Sequence, residues 1–319
     1  MNTSLFRFFS IVYALITKRP LALCDIGDLD GITCAALFKT KFPKGVVVLA
    51  APSDIKNSRL IRHTTWTFVG DLPCPGKVLI RADHHATNSP CAVHEFYDPS
   101  AGAAALLAQR ALGLEGDERA TRLVKLAVET DTAKIESDEA LSLDAAVKGL
   151  GYRGKLHLID LLSVRPLEEV LEDPRVLKGI KSHEMVRRST EDLASRLPVN
   201  ETFVAIFKRR MRVSYRYLCI LMERKGAKVT AIVVPRGIWV VRLYLGSSTP
   251  SYDVSKIAEK LGGGGHAYAA GATVRALHRR KAFKRILEVI AAHLNKDSLD
   301  ILVVENMNSI KQFTWPRDL

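Results

Sequence analysis

Apolar residues in the first half of the chain come in short solid runs: LALCDIG (21–27), VVVLA (46–50), TWTFVGDLP (65–73), KVLI (77–80) and AVHEFYD (92–98). Unbroken runs of this length read as strands buried on both faces, which is the pattern of a parallel sheet. Helical periodicity fills the gaps, in ITCAALFKTKF, in 53–63, and from 101 to about 150. Strands that alternate with helices predict an α/β fold, a mostly parallel sheet with helices on both faces, over 1–165. Residues 166–197 read as a helical connector that includes Pro166 and Pro174. Beyond Pro198 the runs ETFVAIF, YLCILM, KVTAIVV and IWVVRLYL are β-rich, the helical DVSKIAEKL and AFKRILEVIAAHL follow, and LDILVVE adds a last strand. This predicts a second, smaller α/β domain over 198–319. At the N-terminus, Leu5, Phe8, Phe9, Val12, Leu15 and Ile16 fall on one helical stripe. The stripe predicts a helix packed on the body, with a membrane-surface helix as the weaker alternative.

Composition keeps the chain among globular proteins: 319 residues, 47% hydrophobic and 25% charged. The N-terminal apolar run is too short to span a bilayer, and Lys18-Arg19-Pro20 replaces the small-residue cleavage site of a signal peptide. The five cysteines, Cys24, Cys34, Cys74, Cys91 and Cys219, include no C-x-x-C pair. Their spacing suggests neither a disulfide framework nor a zinc ribbon, and a reducing, cytoplasmic setting is expected. Charge is uneven. Residues 1–165 hold 20 Lys+Arg against 18 Asp+Glu, and 166–319 hold 27 against 16. A basic second half suggests an anionic substrate held by one domain and worked on by the other.

The chemistry begins at Asp83-His84-His85, where the strand KVLI ends. Imidazole and carboxylate are hard-to-borderline donors suited to Mn²⁺, Zn²⁺ or Fe²⁺. Other acids stand at strand ends: Asp28 and Asp30 after the first, Asp71 after the third. Asp131 is expected to cap the helix 119–130 toward the same rim. In an open α/β sheet such ends converge. A pair of divalent ions about 3.5–4 Å apart needs this kind of set, several carboxylates and an imidazole. Each acid taken singly is more simply a helix cap or turn residue; the set together is not.

Asp28-x-Asp30-Gly31, Asp71, Asp83-His84-His85 and Asp131 resemble, in order, the four motifs of the DHH phosphoesterase superfamily. GGGGHAYAAG (262–271) resembles the GGGGH-x-x-AAG signature of the associated DHHA1 domain. The overall look is that of the smaller archaeal RecJ-like phosphoesterases. The resemblance implies a DHH catalytic domain, a helical linker and a DHHA1 substrate-binding domain. It implies a two-manganese centre, with Mg²⁺ as the other ion, held by Asp28, Asp30, Asp71, His84 and Asp131, with Asp71 bridging. His85 is implied to contact the scissile phosphate, and Asp83 to orient His84. The family's histidine ahead of the first Asp is absent. Cys24, Asp25 and Ile26 stand there, and Asp25 is the oxygen donor that would replace it. Gly263, Gly264, Gly265 and His266 are implied to hold the terminal phosphate or nucleotide end. The family's upstream arginine falls near Gly246, which makes Arg242 its nearest substitute.

The implied function is metal-dependent hydrolysis of phosphodiester or phosphomonoester bonds in short single-stranded nucleic acid or small nucleotides. The alternative is a DHH scaffold with weak or no turnover, binding nucleic acid in a replication or repair assembly. An inorganic pyrophosphatase fits poorly, because those carry no GGGGH segment. The expected partners are the nucleic-acid substrate and a homodimer mate or replication protein, with no membrane.

Overall fold

The computed structural model describes residues 3–249 and 251–316, and the chain divides into two compact units, residues 1–184 and 185–319. In the first, α1 (Thr3–Ile16) precedes β1 (Leu21–Asp25), α2 (Leu29–Lys41), β2 (Val46–Ala50), α3 (Pro52–Asn57), α4 (Arg59–His63), β3 (Thr65–Gly70), β4 (Lys77–Asp83) and β5 (His94–Tyr97). Five helices follow: α5 (Ala104–Ala111), α6 (Glu118–Asp131), α7 (Asp138–Gly149), α8 (Tyr152–Val164) and α9 (Leu167–Glu172). Helix α10 (Pro174–Arg196) runs from the first unit into the second.

The five strands form one sheet in the order β2-β1-β3-β4-β5, and every pairing is parallel. Alternate residues of β1 feed two cores, as a strand's period of two requires. Ala22 and Cys24 pack with α2 and α5 to α8; Leu21 and Leu23 pack with Trp66, Val69 and the α1, α3 and α4 side. The chain leaves β1 for β2 on one side and reaches β3 on the other. That reversal opens a crevice at the carboxyl ends of β1 and β3, the place where such sheets bind ligands.

The N-terminal helix forms as predicted but presents a different face. Ile11 and Ala14 are buried, while Leu5, Phe8, Phe9, Leu15 and Ile16 are all more than two-fifths exposed. The sheet takes the face that carries Arg7, whose Nε donates to the Leu49 carbonyl at 2.8 Å and whose Nη2 reaches Asp54 at 2.8 Å. The small Ala14 permits that close approach, and hydropathy alone favoured the wider stripe. Among the described residues no helix is long and apolar enough to cross a membrane.

The second unit continues with β6 (Thr202–Phe207), α11 (Tyr215–Arg224), β7 (Val229–Pro235), β8 (Val240–Ser247), α12 (Val254–Lys260), β9 (Gly264–His266), β10 (Ala269–Arg275), α13 (Arg279–His293), β11 (Leu299–Asn306) and β12 (Ser309–Trp315). Its seven-stranded mixed sheet has the order β12-β11-β6-β7-β8-β10-β9. The run YLCILM is helical rather than β: it lies in α11, where Leu218, Cys219 and Met222 share one buried face and Ser214 caps the start. A short apolar run carries no period of its own, so the Ser cap and the i, i+4 spacing decide it. Cys74 and Cys91 form a disulfide, a single bridge that the cysteine spacing did not suggest. They stand 17 positions apart in sequence, but the loops before β4 and after Asp83-His84-His85 fold back on each other, and sequence spacing carries no trace of that.

Candidate metal and phosphate site

The acids gather at the β1/β3 crevice because each is fixed by its own piece of backbone. Asp28 caps α2, accepting from the Gly31 N–H at 3.1 Å. Asp30, in the first turn of α2, is fully buried and accepts from the N–H groups of Ala104 and Ala105, each at 2.7 Å, at the start of α5. The cap reading and the ligand reading are therefore both open to the same residue. Asp71 follows β3 directly with φ +58°, a left-handed conformation that Asp tolerates better than most residues. Asp131 is the last residue of α6 and so ends that helix; the N-cap is Asp117. It still comes to the same place.

His84 is the hub. Its Nδ1 lies 3.0 Å from the Ala101 carbonyl, which can only accept, so Nδ1 donates there and Nε2 is the nitrogen left to face the acids. Nε2 faces carboxylate oxygens of Asp131 at 3.5 Å, Asp30 at 3.7 Å and Asp71 at 3.8 Å. These separations are too long for hydrogen bonds and suit donors that share a cation. Three overlapping sets of side chains bring ligand atoms within 4.8 Å of one another: Asp30, His84 and Asp131; Asp71, His84 and His85; Asp25, Asp28 and Asp71. Asp71 belongs to two of them, the placement a bridging carboxylate requires. Asp71 Oδ1 and Asp25 Oδ1 are buried without a hydrogen-bond partner. A buried unpaired carboxylate oxygen is costly, and a divalent cation is what would satisfy it. The donor set, oxygen-rich with one imidazole, fits a hard-to-borderline ion.

Electrostatics agree. Burial pushes the Asp71 carboxyl well up, and its acid neighbours add to the effect. Burial likewise raises Asp30 to about 7 and Asp25 to about 6. Asp25 ends β1, accepts from the Gly27 N–H at 2.6 Å through Oδ2, leaves Oδ1 without a partner and stands in one cluster with Asp28 and Asp71. Lys155 of α8 is buried beneath this loop, donates to the Ile26 carbonyl and is held below its usual pKa by burial.

The second histidine has a different environment. Asp83 orients His85, not His84 as the motif suggested: His85 Nδ1 lies 2.9 Å from Asp83 Oδ1. The geometry of a β-strand end explains the difference. Successive side chains leave on opposite sides, so Asp83 and His85 share a side and His84 does not. Asp83 is fully buried against Arg81 and also accepts from Asn88 at 2.7 Å. Burial would raise its pKa, but the bonds from His85, Asn88 and Arg81 outweigh it and hold the group below the usual range. The Asp83 bond in turn raises the pKa of His85, whose ring is half-exposed. Arg81, Asn88, Lys155 and the Ala101 carbonyl were not expected. Only Arg81 left a signal, as a charged residue inside an apolar strand.

In the second unit, Gly264 and His266 lie exposed on β9, paired to β10. The glycines are needed by packing: a Cβ on Gly263 would meet the Gly271 carbonyl at 2.2 Å, and one on Gly265 (φ +144°) the Ala269 carbonyl at 2.4 Å. Arg242 donates to Thr273 at 2.8 Å and runs beside Gly271. Arg216 of α11 brings its guanidinium to Gly246, the position where the family arginine was sought.

An all-parallel sheet with acids and histidines at its switch point, joined to a unit with a glycine strand, defines a phosphoesterase scaffold. The DHHA1 domain model matches residues 202–296. The bifunctional oligoribonuclease and PAP phosphatase NrnA of Thermus thermophilus is 27% identical over 265 residues, 80% of this chain and 74% of that protein. The fold is shared with the pGpG-specific phosphodiesterase PggH from Vibrio (TM-score 0.60, 18% identity, 86% of this chain and 99% of that one). It is also shared with exonuclease RecJ bound to manganese (TM-score 0.58, 14% identity, 86% and 90%). Residues 202–296 are thus a DHHA1 domain, and the chain as a whole is similar in sequence and fold to the DHH/DHHA1 phosphoesterases.

Proposed function

We propose that this chain is a divalent-metal-dependent phosphoesterase that cleaves phosphodiester or phosphomonoester bonds at the ends of short single-stranded nucleic acid or in small nucleotides. The observation that carries the reading is Nε2 of His84 ringed by Asp30, Asp71 and Asp131 at 3.5–3.8 Å. Asp28, Asp30, Asp71, His84 and Asp131 would hold two ions, manganese being the one we favour, and Asp25 would supply the donor that the family takes from histidine. Such a pair supplies positive charge to the phosphoryl oxygens and acidifies water. His85, held by Asp83 and with its pKa raised by that bond, would contact the scissile phosphate and stabilise charge as the bond breaks. Arg81 and Asn88 hold Asp83 in place, and Ala101 fixes the His84 tautomer, the usual task of groups behind a ligand. Gly263, Gly264, Gly265 and His266, with Arg242, would hold the substrate's terminal phosphate through backbone N–H groups and side-chain donors. We place the protein in the cytoplasm, because Cys24, Cys34 and Cys219 are free thiols and one disulfide is not a secreted framework.

The test is release of mononucleotide from labelled oligonucleotides of about two to six residues with Mn²⁺, beside Asp71→Ala and His84→Ala. Turnover lost in both variants, with Mn²⁺ binding weakened by calorimetry, is expected. Wild-type protein that binds Mn²⁺ but cleaves neither oligonucleotides nor small nucleotides would sink the reading and leave the binding scaffold.

A further inference from the structure

Helix α13 and strands β6, β11 and β12 enclose a cavity of about 910 Å³ in the second unit. Phe283 and Trp315 supply aromatic surface beside the buried Ile206, and Lys208, Arg280 and Lys284 stand around the opening. No acid lines it. Aromatic rings beside several cations suit a ligand with flat apolar rings joined by anions, which describes nucleobases on a phosphate chain.

Charge points to the same ligand. Residues 1–184 hold 23 Lys+Arg against 23 Asp+Glu, and residues 185–319 hold 24 against 11, so the whole net charge of +13 sits in the second unit. One dense stretch is 275–285, six Lys+Arg and no acid, running into α13. Cations at a helix N-terminus oppose the macrodipole and cost stability. Lys284 has one weak contact, Glu288 at 3.9 Å; Arg280 has no ion pair or side-chain hydrogen bond among the described residues. Lys208 reaches the opening while paired with Glu305. An arrangement that repels itself, beside an aromatic cavity, is relieved by a bound polyanion.

We propose that this cavity is a second docking site for single-stranded nucleic acid, in which one base stacks on Phe283 and Trp315 while Arg280, Lys284 and Lys208 hold the neighbouring phosphates. The choice of polymer rests on the phosphoesterase reading above. In the sheet order, β6 lies four strands from the glycine strand β9, roughly 20 Å at the usual strand spacing. A dinucleotide at the glycine strand does not reach the cavity, and a longer strand does. The site therefore distinguishes substrates by length.

The experiment uses the full chain with chelator and a fluorescein-labelled single strand about twelve nucleotides long, read by anisotropy across a salt series. The variants are the pair Arg280→Gln/Lys284→Gln, on exposed positions, and Trp315→Leu. Losing two phosphate contacts flattens the slope of log K against log salt by roughly 1.4. Losing one stacking surface weakens binding by about 5- to 150-fold. Hydrolysis of a dinucleotide in Mn²⁺ stays at the wild-type rate in the glutamine pair. Wild-type affinity and slope in that pair would overturn the proposal, as they would if the cavity took an acidic peptide instead. If wild-type protein cleaves nothing, yet its binding of the long strand is lost in the pair, catalysis fails and the cavity stands. If it cleaves the dinucleotide and the pair binds normally, the cavity fails and catalysis stands.

Discussion

His85 Nδ1 lies 2.9 Å from Asp83 Oδ1, a charge-assisted bond at the mouth of the acid cluster. The bond raises the pKa of His85, so the ring stays cationic to a higher pH than a free imidazole. Asp83→Asn keeps the shape and removes the charge. His85 should then titrate lower, visible by NMR, and activity should fall about 10- to 100-fold, the usual cost of losing a supporting partner. The loss should be larger near pH 8 than near pH 6, because the neutral ring then prevails at the higher pH. An unchanged His85 titration would refute the assignment.

The buried acids make the metal-free protein sensitive to alkali. Asp30 is raised to about 7 and Asp25 to about 6, both by burial. Their unfolded values lie near 4. A carboxyl with a raised folded pKa binds its proton more tightly in the native state, so its contribution is full below about pH 4 and is lost as pH rises through 6–7. With chelator, the midpoint of thermal unfolding should drop between pH 5 and pH 8 as far as these groups decide it. Mn²⁺ at pH 8 should recover the loss, and Asp25→Asn with Asp30→Asn should shrink the drop. Equal midpoints with and without Mn²⁺ at pH 8 would speak against ligation by this cluster.

Gly31 is fixed by close approach. A Cβ there would lie 2.5 Å from the Asp25 carbonyl oxygen and 2.7 Å from the Asp25 Cβ. Both are part of the loop that presents Asp25 and Asp28. Gly31→Ala should destabilise by about 1–3 kcal/mol through overpacking, measurable by urea unfolding, and should weaken Mn²⁺ binding. A variant with wild-type stability would show that the loop yields freely.

The Cys74–Cys91 bridge joins the loop before β4 to the loop after His85, and Arg81 Nη1 donates to the Ser89 carbonyl at 2.7 Å within the same span. Closing a loop of this length restricts the unfolded chain by about 3 kcal/mol. Cys74→Ser/Cys91→Ser should lose about that much in denaturant unfolding, and reductant should lower wild-type stability to match. Dithiothreitol without effect on the wild type would contradict the bridge.

Solid apolar runs announced β1 and β2, whose residues are nearly all buried because the sheet is covered on both faces. The motif acids were legible because each sits where a strand must stop. Elsewhere the same kind of reading failed for local reasons. YLCILM has no period long enough to separate helix from strand, and the stripe on α1 was decided by Arg7 finding Leu49 and Asp54, partners 42 and 47 residues away.

By itself the sequence determined most of the strands and helices of the first unit, the oxygen donors at strand ends and the glycine motif, because these depend on local pattern and on residue chemistry. Only the tertiary structure decided that Asp83 serves His85, that a backbone carbonyl fixes His84, and that Cys74 meets Cys91. Those pairings depend on which side of a strand end each side chain leaves from and on which distant backbone fills the space beside it, and neither is encoded in spacing.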